Sequence, residues 1–265
     1  MNRMRKLALI IAFTLPVAGI CQNSGWQPPA NPDPSEILRE ARADRDTGRY
    51  QLALDKHVWY HDNALKYDRA HGGVRLSFAL SDWRKLANRY PPALEKMREF
   101  RERAELWVKQ NKEDFDAFHD FVSLNTQLKE EERTVYLFRW LDEYDPSFAR
   151  RVYPVARDTL VAEGEYQLCG EYIDIESIRD DMRLSRKLDE SVGEHLDPER
   201  ASEILRFRNK HFAYEMAYAI AILVRIGQSE EANEVAGFAI EELQNDALEK
   251  QIVDAQSGVF PERIL

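Results

Sequence analysis

The densest run of side chains that can do chemistry is His57-Val58-Trp59-Tyr60-His61-Asp62-Asn63, followed by Tyr67, His71 and Arg75. His57 and His61 stand four residues apart, so on a helix they share one face. Two imidazoles so placed can hold a metal ion, with Asp62 or His71 as a further ligand. No Glu follows His57 in the zinc-protease spacing, and no third ligand stands at a diagnostic interval. Both histidines also lie on an apolar stripe, which favours packed, hydrogen-bonded core histidines. Trp59 and Asn63 fall beside that stripe and are candidates to line a groove. Arg75, Asp82 and Trp83 on the following segment extend it. The binding expectation therefore names His57, Trp59, His61, Asn63, Arg75 and Asp82. The structural alternative has Tyr60 and Trp83 filling the space between helices.

Other reactive groups carry less. His119-Asp120 resembles the His-Asp pair of metal phosphohydrolases, with His61-Asp62 and Asp174 as conceivable co-ligands, but the spacing fits no known pattern. Cys169 is a candidate nucleophile or a small buried residue. No Gly-x-Ser-x-Gly elbow, phosphate loop or dinucleotide-binding Gly-rich turn occurs. No catalytic residue, metal ligand or cofactor is assigned on these grounds.

The N-terminus bears on the compartment. Arg3, Arg5 and Lys6 precede Leu7 to Ile20, an uncharged, mostly apolar run of 14 residues. That is short for a membrane-spanning helix and of a length for the apolar region of a signal peptide. Residues 1–21 are read as a signal peptide, and export to the periplasm or outside the cell is expected. Cys21 invites lipid attachment, but Ile20 occupies the place where that motif wants a small residue. The net charge is −10, and the basic leader makes the remainder more acidic still. Such a balance argues against nucleic acid and anionic membranes as partners.

Residues 22–34, rich in Pro and polar, are read as a linker, and 35–265 as one helical domain. Asp33-Pro34-Ser35-Glu36 has the order of a helix start. Apolar positions recur at helical spacing over Tyr50 to Tyr67 and over Val74 to Tyr90. Glu130 to Tyr144 has two apolar faces, Leu137, Phe138 and Leu141 on one and Tyr136 and Trp140 on another, which predicts a helix covered on both sides. Phe212 to Val224 is apolar nearly all round, with Glu215 as its one charge, and predicts a buried helix. Ala213, Ala217 and Ala221 leave a shallow ridge on it for close helix packing.

Gly48-Arg49-Tyr50-Gln51-Leu52-Ala53, Gly164-Glu165-Tyr166-Gln167-Leu168-Cys169 and Gly227-Gln228-Ser229-Glu230-Glu231-Ala232 share one spacing, and Ala239 follows seven residues after Ala232. This resembles the centre of a tetratricopeptide repeat. There a Gly ends the first helix, an aromatic opens the second, and a small residue lets the two approach. The three units do not follow the regular 34-residue period. The resemblance implies an all-α fold, an irregular stack of antiparallel helical hairpins (an α-solenoid). It also implies a scaffold that binds a protein or peptide partner without chemistry. The alternative is a metal-dependent hydrolase using His57, His61 and nearby carboxylates.

Overall fold

The computed structural model describes residues 25–110, 114–193, 197–243 and 245–262. The expected signal peptide, with Arg3 and Cys21, lies outside them. Among the described residues the fold is all-α, and no helix is long and apolar enough to cross a membrane. The chain divides into two compact units, Met1–Phe100 and Arg101–Leu265, where the sequence reading takes a single helical domain.

The first unit contains α1 (Pro34–Asp46), α2 (Tyr50–Tyr67), a 3-10 turn (Arg69–His71), α3 (Gly72–Leu76), α4 (Phe78–Ala87) and the start of α5 (Pro91–Gln110). Asp33 caps α1 by accepting from the Ser35 amide at 2.8 Å, and Pro34 opens the helix. Segment 74–90 differs from its expectation. Ser77 breaks it into α3 and α4, and the Ser77 hydroxyl donates back to the Gly73 carbonyl at 2.6 Å. α1 and α2 form a hairpin. Across it the buried Lys56 ammonium meets Asp44 at 2.8 Å and Glu40 at 2.6 Å. Part of the expected linker is docked, because the Trp26 ring stands edge-on to Trp59 at 6.4 Å.

The second unit contains the rest of α5, then α6 (Phe115–Leu128), α7 (Glu132–Tyr144), α8 (Pro146–Ala162), α9 (Tyr166–Gly170) and α10 (Ile175–Gly193). It ends with α11 (Pro198–Arg225), α12 (Ser229–Leu243) and α13 (Asp246–Ala255). Asp145-Pro146 and Asp197-Pro198 repeat the cap of α1, each Asp accepting an amide of the first turn. α7 buries Val135, Leu137, Phe138 and Leu141, but its second aromatic face is covered only in part, with Trp140 packed on the core and Tyr136 left open. Tyr136 on that face is 69% exposed. α11 is buried as its composition predicts. Ala213, Ala217 and Ala221 have no exposure, and α12 and α13 pack closely on the helix.

Gly48, Gly164 and Gly227 each end a helix in the left-handed region, with φ of 80°, 80° and 85°. The amide after each returns to a carbonyl five residues back: Arg49 to Asp44, Glu165 to Leu160 and Gln228 to Leu223. Each glycine amide bonds three residues back, which completes the same Schellman turn three times. The small residues that follow, Ala53, Cys169 and Ala232, are buried, as is Ala239. Tyr50 packs on Tyr90 and Tyr166 on Phe260.

Candidate ligand-binding groove

The stretch from His57 to Asp82 forms a polar-lined core within the first unit. His57, 1% exposed, lies parallel to Trp83 with ring centroids 6.0 Å apart. Burial pushes its pKa down to about 3, opposed by the charge of Asp82 and abetted by Arg45 and Arg42, so the ring is neutral. His61 is wedged between Trp83 and Phe100. The Arg75 guanidinium stands 3.2 Å from His61 Nε2 and can only donate, so that nitrogen accepts and its lone pair is used. Asp82 accepts from Arg42 at 2.5 Å and Lys85 at 3.0 Å. Burial raises its pKa, but these bonds outweigh burial and hold it below the usual range.

Four of the six expected binding residues, His57, His61, Arg75 and Asp82, are therefore core. Tyr60 and Trp83 are buried with them. Trp59 and Asn63 are half-buried. Trp59 is sandwiched by Trp26 and Tyr67, and Asn63 donates to the Trp59 carbonyl at 2.9 Å. Among the described residues no group of three His, Cys, Asp or Glu side chains is arranged to hold a metal ion.

The second unit holds a cavity of about 750 Å³ between α8, α10 and α11. Its lining on α11 recurs at 204, 207, 208, 211, 212, 215, 218, 219 and 222, one face of the helix. The eighteen steps from 204 to 222, at 1.5 Å each, make that wall about 27 Å long, so the cavity is a groove. Arg150, Tyr153, Pro154 and Arg157 supply one face of α8. Ile178, Asp181 and Met182 supply α10. The lining is mostly apolar, and Phe207, 65% exposed, stands at its rim.

Several polar groups of the groove meet at α8, while Asp174, Ser177, Asp181, Arg208 and His211 line its other walls. The Arg157 guanidinium binds Glu215 through two bonds of 2.5 and 3.2 Å and lies 4.1 Å from the Tyr218 ring centroid. Burial lowers the Arg157 pKa, but Glu215 more than restores it, so the guanidinium stays charged. The Tyr218 hydroxyl donates to Asp158 at 3.2 Å. Tyr153 is 7% exposed and stacks on Tyr172 at 5.2 Å. Its hydroxyl has no oxygen or nitrogen partner, and the polar group acting on it is the weak Cys169 thiol. Burial raises the Tyr153 pKa, so it remains an O–H donor. Burial likewise pushes Cys169 up to about 11 and leaves it a protonated, inert thiol. Pro154 removes the amide that would bond to the Arg150 carbonyl, next to these groups. An apolar trough with a few converging donors is the usual form of a binding site.

Sequence reading passed over this groove. Its signals were Glu215, the one charge in an apolar helix, and Pro154 inside α8. Comparison with protein-family models, curated proteins and solved structures yields no match for the chain.

Proposed function

We propose that this protein is an exported, non-catalytic binding module that serves as a scaffold for a protein or peptide partner in the cell envelope. Its architecture in this reading is an irregular stack of tetratricopeptide-like hairpins, and its binding site is the groove between α8, α10 and α11. The observation that carries the reading is the mostly apolar groove of about 750 Å³ between α8, α10 and α11, with Phe207 65% exposed at its rim. The neighbouring groups are suited to recognition. Arg157 and Glu215 neutralise each other, and the phenols are held protonated. The basic, apolar N-terminus supports export.

A photo-crosslinking residue tests the site in cells. Placed at position 207 it should trap a partner, and the trap should vanish when Ile204→Glu puts a charge on the exposed part of the groove. Placed at 59 it should trap none. Crosslinks from 59 that ignore Ile204→Glu would move the site back to the first unit. N-terminal sequencing of protein recovered outside the cytoplasm should begin close to residue 22, and a chain retained inside with Met1 intact would sink the export reading.

A further inference from the structure

The connection from α2 to α4 is held to the first unit differently from the helices beside it. α1, α2 and α4 each bury several apolar side chains. From Asp68 to Ser77 the one buried side chain is the cation of Arg75, and Val74 and Leu76 are half-buried. α3 also carries Gly72 and Gly73, and nothing lies within 4 Å of a Cβ added at either. No neighbour therefore requires glycine there, and two glycines weaken so short a helix. Segments with few buried apolar contacts open at lower free energy than the body that carries them.

Two histidine contacts fasten this segment. Nδ1 of His71 lies 2.7 Å from the Tyr60 hydroxyl, with the two rings edge to face. Nη1 of Arg75 lies 3.2 Å from Nε2 of His61. Packed on His61 are Trp83 of α4 and Phe100 of α5, with the neutral His57 one turn back on α2 and the exposed Asp62 beside it. Asp82, next to Trp83, is bound to Arg42 and Lys85.

The two contacts answer acid in opposite ways. A protonated His71 still donates to Tyr60, whose hydroxyl can turn to accept, and the Asp68 carboxylate at 3.9 Å favours the charge. Nε2 of His61 accepts from Arg75 only while it has no proton of its own. A proton there removes the bond and sets an imidazolium against a guanidinium. His61 and Arg75 are 7% and 6% exposed, so water screens that repulsion little, whereas the Asp68 side chain is 56% exposed. The loss at His61 outweighs the gain at His71.

We infer that Asp68–Ser77 is an acid-released flap, latched by Arg75 on neutral His61 and opened when His61 takes a proton. Release frees the Tyr60 hydroxyl and opens His61 to water. The flap belongs to the first unit alone and does not depend on what the groove of the second unit binds.

Hydrogen exchange of the full chain, corrected for the intrinsic rate at each pH, tests the latch. From pH 7.5 to pH 5.0, protection at 71–77 should fall at least tenfold. The ceiling is about thirtyfold, set by an imidazole that titrates near about 6.5 once released to water. In His61→Gln, whose side-chain carbonyl accepts from Arg75 at either pH, protection should be equal at both. Arg75→Gln can donate to the neutral ring and accept from the charged one, so its fall should shrink below about threefold. That variant keeps the test open if glutamine at 61 prevents folding. His57→Phe should retain the full fall, because that ring takes no part in the latch. Equal protection in the native chain overturns the flap. So does an undiminished fall in His61→Gln or Arg75→Gln, or a fall abolished by His57→Phe.

Discussion

His57 lies flat on Trp83 with Nε2 unpartnered, so protonating it places an unpaired charge in the core. Its folded pKa of about 3 is below the ordinary value of 6.5. The neutral ring therefore contributes stability that is complete above pH 6.5 and is lost as the pH falls towards 3. At pH 5 the loss amounts to about 2 kcal/mol. Denaturant unfolding at pH 7 and pH 5 should show this loss in the native chain and a loss smaller by that amount in His57→Phe. Equal losses in both would place the titration on other groups. At this scale the sequence was legible wherever one period decided the outcome. The apolar stripe of α2 placed His57, His61 and Tyr60 inside, and they are inside. The expectation that His57, His61, Arg75 and Asp82 face a groove failed for a reason the sequence does not carry. α4 and the start of α5 bring Trp83 and Phe100 over the histidines, and Arg42 from α1 reaches Asp82.

Helix ends divide into those written in residue type and those that are not. Gly48 at φ 80° closes α1 with nothing near its missing Cβ, so Gly48→Ala pays only for the backbone, about 1 kcal/mol. Lys129 closes α6 with the same turn at φ 59° but carries a side chain in the left-handed region. Lys129→Gly should stabilise by up to about 1 kcal/mol, read as a higher denaturation midpoint. Opposite signs at 48 and 129 are the expected outcome, and a destabilised Lys129→Gly would refute the strain. Sequence marked the glycine turns and the Asp33-Pro34 start, because those residues are chosen by local backbone geometry, but not the same start at Asp145-Pro146 and Asp197-Pro198. It missed the Lys129 turn, the break at Ser77 and the exposure of Tyr136 on the aromatic face of α7. In the last case the period shows that a face is apolar but not whether a neighbour covers it.

Across the molecule, burial is concentrated in α11. Met216 to Leu223 are buried, while Ile204, Leu205 and Phe207 near its start are exposed. Hydrogen exchange should therefore be slowest at 216–223 and faster at 200–210, and an occupant of the groove should slow the latter set selectively. Uniform protection along α11 would contradict this gradient. By itself the sequence determined the helical class, the buried half of α11, the glycine turns and the small residues behind them. Each follows from a property of one segment: periodicity, left-handed backbone or side-chain volume. Tertiary structure alone decided that the chain forms two units, that α9 stops after five residues, and that Arg157 meets Glu215 beside the groove. Those outcomes depend on which segments meet across 58 residues of chain, as in that ion pair, and pairwise proximity at such a distance leaves no period in the sequence that encodes it.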